Sequence, residues 1–261
     1  MRALTAEDVL GVWERAQGRS ATRSALLSLA AIFPDLDERN LAGLSLGDRD
    51  TLLLRLRRLT FGSAMECRVE CPQCGEPLEF TLDTEQLGSS EGEGPPTAAD
   101  GPAGDSEAEG QDSNRRHFER EGLELRLRPL DSADLLAAEA LAEADTRARE
   151  LGRRALVFAR RGGENIDFDS LDDDELAWFE TCLGEVDPAA ERRLNLRCPD
   201  CDHAWGAPFD VAAYFEAELG FEAERLLGQV HTLARFYGWA EHHILAMSAR
   251  RRHAYLERIA D

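Results

Sequence analysis

The sequence predicts an α+β, mostly helical fold in which two short β-hairpins interrupt a series of helices. Apolar residues recur at helical spacing near both ends of the chain, and short alternating segments flank two Cys-Pro-x-Cys turns. A long acidic segment rich in Gly, Ser and Pro lies between the two turns. With 261 residues and a hydrophobic fraction of 43%, the chain is long enough to bury a sizeable core.

The N-terminal segment, residues 1–62, is predicted to form three helices. Thr5 and Asp8 have the spacing of a capping box, which predicts that the first helix begins there. Ser20 is placed to cap a second helix, which is apolar on most of its faces and ends before a proline. A third helix is expected to begin at Ser45 or Gly47, with leucines on its buried side and arginines between them.

Two segments, residues 63–87 and 194–209, have the same pattern: a strand, a Cys-Pro-x-Cys turn and a second strand. We call them the first and second knuckle. Proline after the first cysteine restricts the turn, and Gly75 after the second cysteine permits an unusual backbone angle. In the first knuckle, alternation predicts that four apolar residues share one face: Val69, Leu78, Phe80 and Leu82.

Residues 88–114 form an acidic linker composed mostly of Gly, Ser, Pro, Ala, Asp and Glu. The linker contains no aromatic and no branched aliphatic residue, so it cannot bury enough surface to offset the entropy lost on ordering. We therefore expect it to be disordered. We favour a tolerated loop insertion on composition, and an acidic docking segment for a basic partner is the alternative.

The insertion, residues 115–193, is predicted to begin with a hairpin and to continue with helices. Asp131 is placed to cap a helix that we expect to run to Arg160, with Gly152 as the point where it could break. Alternating leucines mark one strand of the hairpin: Leu123, Leu125 and Leu127.

The C-terminal segment, residues 210–261, is predicted to be helical throughout. A long helix with an apolar stripe begins at Asp210 and should end at Gly238. Two short helices are expected to follow, at 241–247 and, after a capping Ser248, at 249–259.

The cysteines provide the main chemical signal. Four of the six cysteines occur in the two C-x-x-C turns, a spacing that aims both sulfurs at one point while turn amides donate hydrogen bonds to the thiolates. Zinc binds four such ligands in a tetrahedron. We therefore predict a split four-cysteine zinc ribbon that holds one structural Zn²⁺ ion and closes a domain around the insertion. Its predicted ligands are Cys71, Cys74, Cys198 and Cys201.

Other uses of these cysteines are open but less favoured. A redox dithiol also has the C-x-x-C spacing, but it lies at a helix N-terminus and rarely occurs twice. Two separate metal sites could recruit Cys67 or His203 as additional ligands. Catalytic zinc needs an open coordination position, which four cysteines do not leave. Cys67 and Cys182 are interpreted as ordinary buried cysteines.

Charge limits the classes of partner. The formal net charge is −21, and the basic residues are all arginines that form only small clusters, so nucleic acid and anionic membranes should be repelled. There is no apolar stretch long enough for a membrane span, and the N-terminus has acids where a secretory signal would be apolar. We expect a cytoplasmic protein. Since no nucleophile, phosphate-loop or zinc-protease motif is present, we expect no enzymatic activity.

Two stretches resemble proteins encoded in phage tail and contractile injection-system clusters, which are described as baseplate proteins or baseplate hub assembly chaperones. The resemblance covers residues 45–87 and 194–259, and the four paired cysteines fall where that family has its own. The ending YGW-x-E-x-x-IL-x-x-x-x-RR-x-x-Y of that family is similar to the end of this chain, with Ala240 as a departure where Ser or Pro is expected and with five residues rather than four between Leu245 and Arg251. The matching positions are Tyr237, Gly238, Trp239, Glu241, Ile244, Leu245, Arg251, Arg252 and Tyr255.

The resemblance implies a non-enzymatic structural or assembly role, as chaperone or adaptor, in the baseplate of a contractile tail. Other baseplate or tail proteins would then be its partners. We hypothesise that the final helices present the partner surface, and packing on the N-terminal helices is an equal alternative. The residues of this hypothesis are Trp239, Ile244, Leu245 and Tyr255.

A zinc-ribbon regulator that binds nucleic acid or transcription machinery is the alternative function. Such a ribbon should have basic and aromatic residues on its strands, whereas the strands of both knuckles are mixed to acidic. The baseplate role is therefore preferred.

Overall fold

The computed structural model describes residues 1–87 and 115–260, so the predicted linker lies outside the described residues. Over these ranges the chain is α+β and mostly helical. The helices are α1 (Ala6–Ala16), α2 (Ala21–Ile32), α3 (Glu38–Ala42), α4 (Leu46–Phe61), α5 (Thr84–Leu87), α6 (Ser132–Glu139), α7 (Ala144–Ala155), α8 (Asp173–Val186), α9 (Val211–Tyr237), α10 (Glu241–Leu245) and α11 (Ala249–Ala260). The strands are β1 (Ala64–Glu70), β2 (Pro77–Asp83), β3 (Arg116–Arg120), β4 (Leu123–Leu127), β5 (Leu156–Arg161), β6 (Glu164–Ile166), β7 (Arg193–Arg197) and β8 (Ala204–Pro208).

The chain divides into two compact units. The first unit draws on Met1–Glu38, Leu52–Met65 and Asp210–Asp261, and the second on Arg39–Thr51 and Glu66–Phe209. The C-terminal helices therefore belong to the first unit, whereas all four predicted metal ligands belong to the second. In the described part of the chain, no helix combines the length and the apolar character that a membrane crossing requires.

The first unit is organised around the long helix α9. Helices α1 and α2 pack on each other and on α9, and α10 and α11 also contact α9. The predicted apolar stripe forms the centre of this packing, since its residues Leu219, Leu226 and Leu233 are fully buried, as is Leu29 of α2. Burial of each such side chain contributes about 1.5–3 kcal/mol to stability.

A buried ion pair joins α4 to α9 within the first unit. The Arg57 guanidinium is 3% exposed and lies 2.6 Å from a carboxylate oxygen of Glu218. It also donates hydrogen bonds to the backbone carbonyl groups of Gly62 and Ala64. The arginine thus satisfies two carbonyls beyond the end of α4, which fixes the path of the chain into β1.

Most of the predicted helix ends are confirmed. The capping box of Thr5 and Asp8 is present, and the Ser20 and Asp131 side chains accept hydrogen bonds from the first turns of α2 and α6. Gly238 ends α9 in the left-handed conformation, with φ of 69°. These ends were predictable because each depends on one local side chain or backbone angle.

The second unit contains a four-stranded antiparallel sheet in the order β3–β4–β5–β6. The predicted leucines of β4 point to one face, where Leu125 and Leu127 are completely buried against helix α8. Phe179 and Cys182 of α8 complete this core. The insertion therefore has a hydrophobic core of its own.

The prediction of one helix from residue 131 to Arg160 was wrong. Two helices, α6 and α7, occupy the first part, and Leu156–Arg161 forms strand β5, in which Ala159 pairs with Leu125. The Leu-Val-Phe segment suits a strand as well as a helix, and pairing with β4 selects the strand. Such pairing depends on a distant segment, so local periodicity did not indicate it.

Gly152 is a point of close packing rather than a helix break, because α7 continues through it to Ala155. A Cβ atom at this position would lie 2.3 Å from the ring of Phe168. Gly184, which is also a helical glycine, has free space around it, since a Cβ atom there would meet nothing within 4 Å.

We predict that Gly152→Ala lowers the free energy of unfolding by about 1–3 kcal/mol, because the phenyl ring must move to admit a methyl group. Gly184→Ala should raise it by about 0.5–1 kcal/mol, because alanine costs less backbone entropy in a helix. Equilibrium urea unfolding followed by circular dichroism measures both changes. A gain in stability from Gly152→Ala equal to that from Gly184→Ala would contradict the packing described.

Candidate metal centre

Each knuckle folds as predicted, with a strand on either side of the Cys-Pro-x-Cys turn. In the first knuckle β1 pairs with β2, and in the second β7 pairs with β8 in an antiparallel ladder. Alternation along these strands places polar residues towards solvent and leaves apolar residues half-buried. The hairpins hold the two turns rigidly enough to direct the cysteine sulfurs.

The two turns have the same backbone hydrogen bonds. In the first, the Cys71 amide donates to the Glu76 carbonyl at 2.9 Å, and the Gly75 amide donates to the Cys71 carbonyl at 2.9 Å. In the second, the Cys198 amide donates to the His203 carbonyl at 2.8 Å, and the Asp202 amide donates to the Cys198 carbonyl at 3.1 Å.

The residue after the second cysteine takes a left-handed conformation in both turns. Gly75 has φ of 77°, as its flexibility suggested, and Asp202 has φ of 59° at the equivalent position of the second turn. Aspartate tolerates this region better than most residues, and the Asp202 carboxylate also pairs with Arg197 at 2.8 Å. The role of Asp202 was not predicted, although its position after the second cysteine was the available signal.

The four predicted ligands converge. Their Sγ atoms all lie within 4.8 Å of one another. The Sγ atoms of Cys71 and Cys201 are 3.7 Å apart, and those of Cys74 and Cys198 are 3.6 Å apart. A tetrahedral ion with metal–sulfur distances of about 2.3 Å requires sulfur–sulfur distances of about 3.8 Å. The cluster therefore fits a single four-coordinate metal ion, with each knuckle supplying two sulfurs.

The pKa values of these thiols differ because they interact. Burial opposes ionisation of Cys71, but hydrogen bonds from the backbone N–H groups of Cys74 and Gln73 outweigh it and lower the Cys71 pKa to about 7. At Cys74, the backbone N–H of Glu76 favours the thiolate, but burial and the three neighbouring sulfurs raise the pKa to about 12. The pKa of Cys201 is also raised. The neighbouring sulfurs thus oppose ionisation of Cys74, and a cation bound among them would relieve this repulsion.

The remaining candidates lie outside this cluster. Within the described ranges, the donor atoms of Cys67 and His203 do not belong to the convergent group of potential metal ligands. Cys67 is half-buried on β1, and the imidazole of His203 stacks on Trp205 with ring centroids 5.8 Å apart. Cys182 is buried in the core of the second unit, where burial raises its pKa to about 11. Such a thiol is structural rather than reactive.

The apolar sides of the two knuckles line one groove, of about 470 Å³. Three of the four residues predicted to share a face of the first knuckle, Leu78, Phe80 and Leu82, line this groove, whereas Val69 is not among its lining residues. Leu194 and Leu196 of β7 line the same groove and were not predicted to do so, although they alternate in the same way.

The residues of the partner hypothesis lie in the first unit and have different environments. Ile244 is fully buried, so its side chain belongs to the core and cannot face a partner. Leu245 is half-buried. The rings of Trp239 and Tyr255 are half-buried and meet edge to face, with centroids 4.9 Å apart. Tyr237 stacks on Trp239 at 4.4 Å, so these three rings form a compact aromatic cluster.

Fold and site together define a largely helical protein with an inserted α/β segment and a split four-cysteine centre. A family model described as T4 bacteriophage base plate protein matches residues 19–216. The chain belongs to this family, as its resemblance to baseplate proteins predicted. The match includes both knuckles and the whole insertion, and it ends before the aromatic C-terminal ending.

Comparison with curated proteins and with solved structures gave no match for this chain.

We predict that Cys201→Ser abolishes stable metal binding, because three sulfurs leave one side of the tetrahedron open to exchange. Cys67→Ser is the matched control, since Cys67 is a half-buried cysteine of the first knuckle outside the cluster. Elemental analysis of both purified variants after dialysis measures the metal that each retains. Loss of metal from Cys67→Ser, or its full retention by Cys201→Ser, would show that other ligands hold the ion.

Proposed function

We propose that the protein is a non-enzymatic structural or assembly protein, acting as chaperone or adaptor, of a contractile phage-like tail baseplate. Membership of the baseplate family over most of the chain carries this proposal. The four-cysteine centre agrees with a structural rather than a catalytic role, because four protein ligands fill a tetrahedral ion and leave no position for substrate. Other baseplate or tail proteins are its partners, and its site of action is the cytoplasm.

The proposed ion is one structural Zn²⁺. Sulfur ligands favour soft or borderline metals, and four cysteines in a tetrahedron are a preferred arrangement for zinc. Structural zinc binding provides about 10–16 kcal/mol in small zinc domains, which exceeds the net stability of many proteins. The ion would therefore determine whether the two knuckles stay together, although Cys74 and Cys198 are far apart in the sequence.

The charge of the protein supports a protein partner over nucleic acid or membrane. The net charge of −21 would repel the phosphates of either. On the first knuckle, Glu66, Glu70 and Glu79 contribute acidic side chains to β1 and β2. A zinc-ribbon regulator would instead need basic strands.

The aromatic cluster of Tyr237, Trp239 and Tyr255 is the proposed partner surface. Its rings are half-buried, and the neighbouring Phe236 is 61% exposed and in edge contact with Tyr237. Aromatic residues contribute most strongly to protein interfaces, where truncation of one anchor commonly costs at least about 2 kcal/mol of binding free energy.

Co-expression with the sheath, tube, spike and baseplate proteins of the same gene cluster tests the proposed function. We expect the tagged chain to co-purify with at least one baseplate protein. Mass spectrometry of purified particles then separates two roles: a structural subunit remains in the particle, whereas an assembly chaperone is found in intermediates alone. Co-purification with nucleic acid or RNA polymerase, and with no tail protein, would overturn the proposal.

We predict that Trp239→Ala reduces recovery of that partner by at least about tenfold, which corresponds to the loss of one interface anchor. Phe221→Ala is the matched control, because Phe221 is an aromatic residue of α9 that is 77% exposed and distant in sequence from the cluster. Thermal unfolding should remain cooperative in both variants. Equal recovery with both variants would remove the cluster from the interface.

A further inference from the structure

The first unit contains a groove of about 840 Å³ that the aromatic cluster does not line. This volume lies within the range of about 300–1,000 Å³ typical of ligand sites. The groove is bordered by the beginning of α1, the end of α4, one turn of α9 and the connection from α10 to α11. Its apolar lining consists of Leu4, Val9, Phe61, Leu245 and Met247.

A buried arginine lines this groove. The Arg252 side chain is 4% exposed, and it donates hydrogen bonds to the Gln229 side chain at 3.0 Å and to the Met247 carbonyl at 2.5 Å. A longer bond of 3.4 Å reaches the Leu245 carbonyl. In the described part of the chain, no carboxylate lies within 4.0 Å of its guanidinium. These neutral acceptors hold the side chain in place but leave its positive charge uncompensated.

The other charged groups of the groove do not neutralise Arg252. Arg225 lies on the groove and is paired with Glu222 at 2.6 Å, so these two charges offset each other. Burial and the proximity of Arg225 lower the pKa of Arg252, and the nearby charge of Glu222, which acts in the opposite direction, does not reverse this shift. Glu7, the remaining carboxylate of the groove lining, is exposed to solvent, where its charge is screened.

Two helices direct their N-termini towards the same groove. Thr5 and Ala6 at the start of α1 line it, as do Ser248 and Ala249 at the start of α11. A helix N-terminus presents free N–H groups and a partial positive charge. At α1 the capping box and the acidic residues Glu7 and Asp8 already compensate this charge, so α11 is the helix that can attract an anion. The first turn of α11 has no acidic residue to compensate this charge, and Arg252 lies in that same turn.

We propose that this groove binds an acidic peptide segment of a partner protein, with one carboxylate at Arg252 and the α11 N-terminus. A carboxylate can accept hydrogen bonds from a guanidinium and from helix amides at once. The apolar lining accommodates aliphatic side chains beside that carboxylate. A polyanion such as nucleic acid is a poor fit, because the groove offers one uncompensated side-chain cation in a protein of net charge −21.

The inference rests on the proposed function, because it assigns a partner contact to a baseplate assembly protein. The two can fail separately. Recovery of a tail protein tests the function, whereas a titration with synthetic peptide tests the groove alone. If tail proteins co-purify and the peptide does not bind, the proposed peptide site is wrong and the proposed baseplate function stands.

The probe is the capped peptide acetyl-Leu-Asp-Leu-Leu-amide, titrated into the full-length, metal-loaded protein and followed by ¹H–¹⁵N NMR. The neutral peptide acetyl-Leu-Asn-Leu-Leu-amide is the matched control. We expect the amide signals of Ser248 and Ala249 to shift with the acidic peptide, with a dissociation constant in the millimolar range or tighter. The neutral peptide should bind about tenfold more weakly, because it lacks a charge-assisted hydrogen bond.

Substitutions at an exposed residue on the groove rim test binding without risking the fold, because they do not alter buried side chains. Ala246 is exposed and lines the groove, so Ala246→Glu places a competing carboxylate there without disturbing the core. It should weaken binding of the acidic peptide about tenfold, whereas Ala246→Gln, of similar size, should not. Arg252→Gln should weaken binding at least as much, and Arg251→Gln, an exposed neighbour, should leave it unchanged.

Equal affinity for the two peptides would overturn the proposal, as would the absence of shifts at Ser248 and Ala249 at millimolar concentration. An Ala246→Glu variant that binds as tightly as Ala246→Gln would do the same.

Discussion

The convergence of four cysteine sulfurs is the constraint that joins the two knuckles of the second unit. Thiols that lie within 4.8 Å of one another cannot all ionise unless a cation balances them, as the raised pKa values of Cys74 and Cys201 indicate. A dication removes this repulsion and binds all four sulfurs at once. Because Cys71 and Cys201 lie at opposite ends of the insertion, one ion would close the chain around everything between them.

A second set of contacts supports the same closure within the second unit. The Gly47 amide donates to the Asp187 carboxylate at 2.9 Å, and the Leu46 amide donates to the Leu130 carbonyl at 3.0 Å. Glycine is required at position 47, since a Cβ atom there would lie 2.1 Å from an Asp187 oxygen. The segment before the first knuckle is thus bonded to both the beginning and the end of the folded insertion. A metal ion held by the four cysteines would therefore act together with these bonds rather than hold an otherwise loose loop.

The features predicted from sequence were those fixed by a few neighbouring residues. The helix caps at Thr5 and Asp131, the stop at Gly238 and both knuckle turns each depend on one side chain or backbone angle. Strand β5 was missed because pairing with a distant strand decided between two locally acceptable conformations. The burial of Ile244 and the groove around Arg252 were missed for the same reason, since both depend on packing between helices.

X-ray absorption at the zinc edge of the purified protein tests the central claim most directly. It measures which atoms surround the ion without prior assumption about the ligands. We expect one zinc per chain surrounded by four sulfur atoms at about 2.3 Å. A protein without zinc, or a zinc ion with nitrogen or oxygen neighbours at about 2.0–2.1 Å in place of two sulfurs, would contradict a single ion shared by the two knuckles.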